Sequence, residues 1–177
     1  MRPLFTIKKT KGNGRGVFAL TDIKKGRHVI RCDLTKLKTY SLEKLKKHPQ
    51  RRSDHWDEAG RGKWVLDFSP ASYVNHSCDP NCLTKYYTLK KKDIVARRDI
   101  KSGEEMTVDY STGAIYGFNK KSHITAGAGI MKCRCNSKKC RKIITDDFFE
   151  LPKGLQREYF KNLPPSIKRK FVKRPKR

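Results

Sequence analysis

Four short segments of this 177-residue chain gather side chains that can do chemistry at close spacing. The most telling is Cys133-Arg134-Cys135-Asn136-Ser137-Lys138-Lys139-Cys140, which holds three of the chain's six cysteines; the others are Cys32, Cys78 and Cys82. Disulfides among Cys133, Cys135 and Cys140 would close very small, strained loops, so thiolate ligation of a metal is the natural reading. Zinc favours four soft ligands in a tetrahedron, and the missing fourth has to come from elsewhere in the chain, where Cys78 and Cys82 are available. The second segment, Tyr73-Val74-Asn75-His76-Ser77-Cys78-Asp79-Pro80-Asn81, packs hydrogen-bonding side chains beside an apolar pair and reads as a buried polar junction. The third, Gly103-Glu104-Glu105-Met106-Thr107-Val108-Asp109-Tyr110, is a glycine turn feeding a strand that ends on a phenol. The fourth, Gly12-Asn13-Gly14-Arg15-Gly16-Val17-Phe18, lets backbone amides approach a ligand closely. No long helix follows it, which rules out a dinucleotide or P-loop cradle.

The elements that must position these residues are mostly strands. Phe5 to Ile30 alternates short strands with glycine turns, including the strand Val17–Leu20 and the turn Lys24-Lys25-Gly26. Strands are predicted again at Trp64–Asp67, Cys82–Leu89, Asp93–Ala96 and Met106–Val108. Ser41 is placed to cap one short helix that contains Leu42 and Leu45 and stops at His48-Pro49. Gln50 to Lys63 is polar and glycine-containing and reads as a loop. Ser111 to Lys132 has no sustained period and reads as an irregular connection. Beyond Asp146, apolar Leu151, Leu155, Tyr159 and Leu163 recur every four residues, a helical spacing, before a basic tail. The expected fold is mainly β with short helices, divided into 1–112 (with an inserted helix and loop about 35–63), 113–145 with the cysteine cluster, and 146–177 as a basic helix and tail.

Taken in order, the four segments resemble the SET-domain protein lysine methyltransferases, over roughly residues 5 to 145. Asn75 to Asn81 match that family's Asn-His-Ser-Cys-x-Pro-Asn segment at every specified position. Gly103 to Tyr110 match its Gly-Glu-Glu-Leu-Thr-x-Asp-Tyr segment with Met106 for Leu, and the Cys-x-Cys-x4-Cys run matches its post-SET cluster. The resemblance implies a SET (β-clip) fold in which the Asn75 and Tyr110 segments are threaded into a pseudoknot, followed by a small zinc-binding segment. It implies S-adenosylmethionine along Gly14, Arg15 and Gly16, with Asn75, His76 and Tyr110 at the same cofactor, and it puts Tyr110 at the reaction centre. It makes Cys78 the fourth ligand of one structural zinc beside Cys133, Cys135 and Cys140, and leaves Cys82 and Cys32 as ordinary small side chains.

The implied activity is methyl transfer to a lysine side chain of another protein. It needs a neutral amine held in line with the methyl carbon. A phenol oxygen at Tyr110 can orient that amine, while an adjacent sulfonium and an apolar channel favour loss of its proton to water over Tyr110 acting as a base. The chain also departs from the pattern. Arg31-Cys32-Asp33-Leu34 stands where the family often has an acidic-Tyr-x-Gly run, so either another aromatic such as Trp56 or Tyr116 lines the substrate channel in its place or activity is weakened. Ser72 stands near a frequent Arg. Val108, two before Tyr110, is commonly Phe or Tyr, and the smaller side chain leaves more room for methyl groups.

Charge bears on the partners. Forty-three Lys and Arg against 17 Asp and Glu give a formal charge of +26, which favours nucleic acid, since phosphate contacts release counterions. Leu151 to Arg177 alone has ten basic residues and one acid, Glu158, and Lys168-Arg169-Lys170 with Lys173-Arg174-Pro175-Lys176-Arg177 is expected to project toward nucleic acid. No apolar stretch approaches bilayer length and Met1 to Phe5 lacks a signal-peptide core, so no membrane partner is expected. The substrate is expected to be a histone or another chromosomal protein presented on DNA, and the location the nucleus or chromosome, or the nucleoid or cytoplasm in a prokaryote. The competing reading is a catalytically weak SET scaffold that binds nucleic acid or chromatin.

Overall fold

A computed structural model describes residues 2–12, 14–51, 55–112, 130–145, 148–165 and 168–169. The described residues are mainly β with two short helices, as expected. Strands β1 (Phe5–Lys9) and β2 (Arg15–Ala19) form a hairpin. Beside β2 lies β10 (Glu105–Val108), and beside β10 lies the two-residue strand β7 (Asn75–His76), giving the order β1-β2-β10-β7. A second sheet pairs β3 (His28–Asp33) and β8 (Cys82–Tyr86) on either side of β9 (Lys91–Ala96). As the central strand, β9 is buried along nearly its whole length. Val17, Ala19, Ile30, Val74, Ile94, Met106 and Val108 meet between these sheets as one apolar core.

The β7–β10 pair is parallel, with Thr107 opposite Asn75 and Val108 opposite His76, so the two polar segments lie side by side. A two-residue strand satisfies few backbone groups, and Asn81 makes up the difference. Its side chain donates to Glu105 O at 2.8 Å and accepts from Thr107 N at 2.9 Å, pairing with β10 as a neighbouring strand would.

The insert departs from its expected form. The helix is where it was expected: α1 (Leu42–Lys46) is capped by Ser41, whose hydroxyl accepts from Lys44 N at 3.4 Å. Residues 50–63, however, are not all loop. Trp56–Gly60 is strand β5, paired with β6 (Lys63–Leu66), which also pairs with β4 (Tyr40–Ser41). The glycine turn at Gly60-Arg61-Gly62, with φ of 88°, 54° and 65°, is a tight hairpin corner and not an open connection. Leu45, Trp56 and Trp64 give the insert its own small core, which the Lys92–Asp57 ion pair at 2.5 Å pins to β9.

Farther along, β11 (Ile130–Lys132) and β12 (Ile143–Thr145) pair antiparallel and carry the cysteine cluster between them. The apolar stripe forms helix α2 (Lys153–Phe160), in which Tyr159 is buried; Leu151 before it and Leu163 after it are buried as well. No helix among the described residues is long and apolar enough to cross a membrane. Tyr116 and the tail beyond Arg169 lie outside the described residues.

Candidate functional site

The β1–β2 hairpin sets one wall of the site. Gly14 has φ +71°, a conformation that favours glycine, and a Cβ built on it would meet nothing within 4 Å. Gly16 is the reverse case: a Cβ there would lie 2.5 Å from Glu105 Oε1, 2.7 Å from Thr10 Cγ2 and 2.9 Å from Asn75 Nδ2. The backbone at 14–16 is thus open on one side and closely backed on the other, the shape of a cradle lined by main chain. Asn75 closes the back by donating from Nδ2 to Arg15 O at 3.1 Å and to Glu105 Oε1 at 2.7 Å. The Arg15 guanidinium lies 5.2 Å from the Tyr73 ring centre, within cation–π range.

Tyr110 follows β10 directly and is brought to this cradle by the β7–β10 pairing. It is 36% exposed, its hydroxyl donates to Val74 O at 3.2 Å, and its ring sits 5.3 Å from that of His76. His76 fixes the turn, because its Nδ1 accepts from Tyr110 N at 3.1 Å. Burial lowers the His76 pKa to about 4 despite the opposing pull of Asp109, so the ring is neutral at pH 7. With Nδ1 accepting, the ring proton belongs on Nε2, 3.3 Å from Cys78 Sγ. Both ring nitrogens are therefore engaged within the protein.

Cys78 belongs to the thiol cluster. Its Sγ is 3.6 Å from Cys133 Sγ, close to the ~3.8 Å that tetrahedral Zn–S bonds of about 2.3 Å require. Candidate ligand atoms of His76, Cys78, Cys133 and Cys135 all lie within 4.8 Å of one another. Cys140 stands beside Cys133 and Cys135, with its Sγ 3.4 Å from Lys142 N. Five groups thus surround a position that takes four, and the hydrogen bonds discriminate. Each thiol has a backbone amide directed at it: Arg141 N toward Cys78, Cys135 N toward Cys133, Cys78 N and Ser137 N toward Cys135, and Lys142 N toward Cys140. Such donors stabilise thiolates, and His76 already donates to one of the four. The donor set fits zinc on Cys78, Cys133, Cys135 and Cys140. Burial raises the Cys78 and Cys133 thiols just as it raises those of Cys82, to about 12, and Cys32, to about 11, so it is place and not titration that separates them: Cys82 and Cys32 sit in apolar clusters.

Two further features have little signature in the sequence. Arg141 grips Asp109 with two parallel bonds of 2.7 Å and reaches Ser111 Oγ at 3.3 Å, so the thiol segment is bolted to the residue next to Tyr110. Tyr73, His55 and Phe68 form an aromatic group, with the His55 ring 4.8 Å from Tyr73 and 4.9 Å from Phe68. Trp56, expected in the substrate channel, is instead 8% exposed in the core of the insert, its indole N–H donating to Gln50 O at 3.0 Å. Val108 lies in the main core, 7% exposed.

Comparison with known proteins places this geometry. The SET domain model matches residues 14–111. The chain is 28% identical over 151 residues to human histone-lysine N-methyltransferase 2D, covering 77% of this chain and 2% of that protein. It is 28% identical over 147 residues to histone-lysine N-methyltransferase trithorax of Drosophila virilis, covering 75% and 3%. It is 38% identical over 77 residues to histone-lysine N-methyltransferase set1 of Dictyostelium discoideum, covering 42% and 4%. The chain therefore spans only a few per cent of the length of these relatives. The family match covers more than half of the residues and includes the strands that bring Asn75 and Tyr110 together: this chain belongs to the SET-domain family.

Proposed function

We propose that the protein methylates lysine side chains of a histone or another chromosomal protein, with S-adenosylmethionine as donor. The observation that carries the reading is Tyr110, locked by His76 beside a cradle of main chain at Gly14, Arg15 and Gly16. S-adenosylmethionine supplies the methyl group on a positively charged sulfur. Gly14 to Gly16 and Asn75 hold the donor, and the Tyr110 hydroxyl orients the acceptor amine. The Tyr110 hydroxyl is engaged as a donor to Val74 O, and the lysine proton leaves to water. Zinc on Cys78, Cys133, Cys135 and Cys140 is structural, and it holds the thiol segment against Asp109 and Tyr110. Val108 bears on how many methyl groups the site admits.

The names of the relatives support a histone or chromatin substrate and a nuclear or chromosomal location. The charge of +26 supports docking on nucleic acid. Asp22, Asp79, Asp99, Glu104 and Glu158 are each already paired with a lysine or arginine, so the surplus bases remain for phosphates. Labelled S-adenosylmethionine offered with a set of chromosomal proteins, with and without duplex DNA, tests the proposal. Label on a lysine, increased by DNA, is the expected result. Donor binding without transfer to any protein would instead favour a nucleic-acid-binding scaffold. One feature speaks for that second reading: Cys32, where the family often has its channel tyrosine, is 3% exposed and faces Asp67 and Ser69.

A further inference from the structure

The segment after the thiol cluster lies beyond the family match at 14–111, yet it is tied into the site's surroundings. Phe148, Leu151, Tyr159 and Leu163 bury one another, and this small core holds α2 in shape. The link from α2 to the catalytic body is polar and centres on Arg97, the residue after β9. Its Nε and Nη2 donate to Glu158 on α2 at 2.6 and 3.2 Å, while Nη1 donates to Pro80 O at 3.1 Å and Asp79 Oδ1 at 3.4 Å. Asp79 and Pro80 directly follow Cys78. Asp79 also takes Lys139 Nζ at 3.1 Å, and Lys139 directly precedes Cys140. Two more bonds complete the seam: Tyr86 N to Asn162 O at 2.8 Å and Ser111 Oγ to Thr145 O at 2.6 Å. One guanidinium thus joins α2 to the turn that carries one thiol, and through Asp79 to the residue beside another.

We propose that residues 148–163 act as a clasp, in which Glu158 and Arg97 are positioning residues that hold the Cys78–Pro80 turn in register with Cys133, Cys135 and Cys140. The clasp rests on the reading that these four thiols bind zinc. Neither Glu158 nor Arg97 touches donor or acceptor; they act through Cys78. Glu158 is 42% exposed at its side chain and Arg97 25%. A pair this open to water adds little to global stability, so its effect should be local to the thiol cluster.

The test measures how fast zinc leaves the reduced 177-residue chain when a coloured chelator is added in excess. Wild type is expected to hold one zinc per chain, and Glu158→Gln to release it about tenfold faster, at the low end of what groups supporting a metal ligand contribute. Arg97→Gln should release it at least as fast, and the double variant no faster than Arg97→Gln alone, because both act through one contact. Arg157→Gln, on the exposed side of α2, should release zinc at the wild-type rate. Unchanged release in both Glu158→Gln and Arg97→Gln would overturn the clasp while leaving the zinc reading intact. Equal acceleration in Arg157→Gln would overturn it too, by showing that any loosening of α2 suffices. A wild-type protein without zinc would overturn both readings together.

Discussion

Replacing Arg141 by Met removes one half of a buried, two-pronged ion pair while keeping most of the side chain's bulk. Asp109 is 1% exposed at its side chain and Arg141 19%, and the two N–H···O bonds are both 2.7 Å. Taking away one partner of such a pair typically costs about 3–5 kcal/mol, because the remaining charge has no water to turn to. Two features place this case at the lower end: Arg141 keeps some contact with solvent, and Asp109 still accepts from Ser111 N at 3.1 Å. A loss of about 3 kcal/mol corresponds to a fall of roughly 6–12 °C in Tm for a domain of this size. Arg141→Lys should recover less than half of it, since an ammonium cannot make two parallel bonds to one carboxylate. Thermal melts of the zinc-loaded protein at pH 7.5 measure both variants. A fall of under about 2 °C in Arg141→Met, less than 1 kcal/mol on the same scale, would mean that Asp109 and the turn before Tyr110 are held by something else.

Three other expectations follow from the same geometry. Gly16→Ala forces Glu105 and Asn75 apart and should weaken S-adenosylmethionine binding in calorimetry; unchanged affinity would remove Gly16 and Asn75 from the donor's seat. Cys135→Ser should abolish stoichiometric zinc and most activity while the main core still unfolds cooperatively, and metal analysis that still finds zinc would count against the ligand set. His76 is buried neutral with its pKa lowered to about 4, so the unfolded chain binds more protons than the folded one between about pH 6.5 and 4, and stability should fall with pH across that window. Denaturation midpoints of wild type and His76→Gln should converge as the pH drops through it, whereas parallel curves would contradict the assignment.

The parts of this account that were legible from residues alone are those whose information is local. The spacing of Cys133, Cys135 and Cys140 marks a metal centre because three thiols so close together have few other uses. The four-residue recurrence from Leu151 to Leu163 marks α2 because helical periodicity is a property of one segment. Strand β5 is not legible in its own residues, because Asp57, Glu58 and the Gly60–Gly62 corner look like loop when Trp64 across the hairpin is not in view. The ring of Trp56 suits a channel wall, but its place depends on Leu45, Trp64 and the Gln50 carbonyl, none of which identifies it as packing until the insert folds. Arg141 reads as one more base in a basic run. Its partner Asp109 lies 32 residues away, and only the return of the thiol segment to the β10 end joins them.

The central claim is that Tyr110 serves the chemical step and not the seating of the donor. Its most direct test is single-turnover methyl transfer by Tyr110→Phe with saturating S-adenosylmethionine, alongside donor affinity measured by calorimetry. The expected result is a rate reduced by about 100-fold or more, as is common when a group positioned at the reacting atoms is lost, with donor affinity within about twofold of wild type, a difference of roughly 0.4 kcal/mol. A rate that survives the change, or a rate that falls only as far as donor affinity falls, would contradict the account.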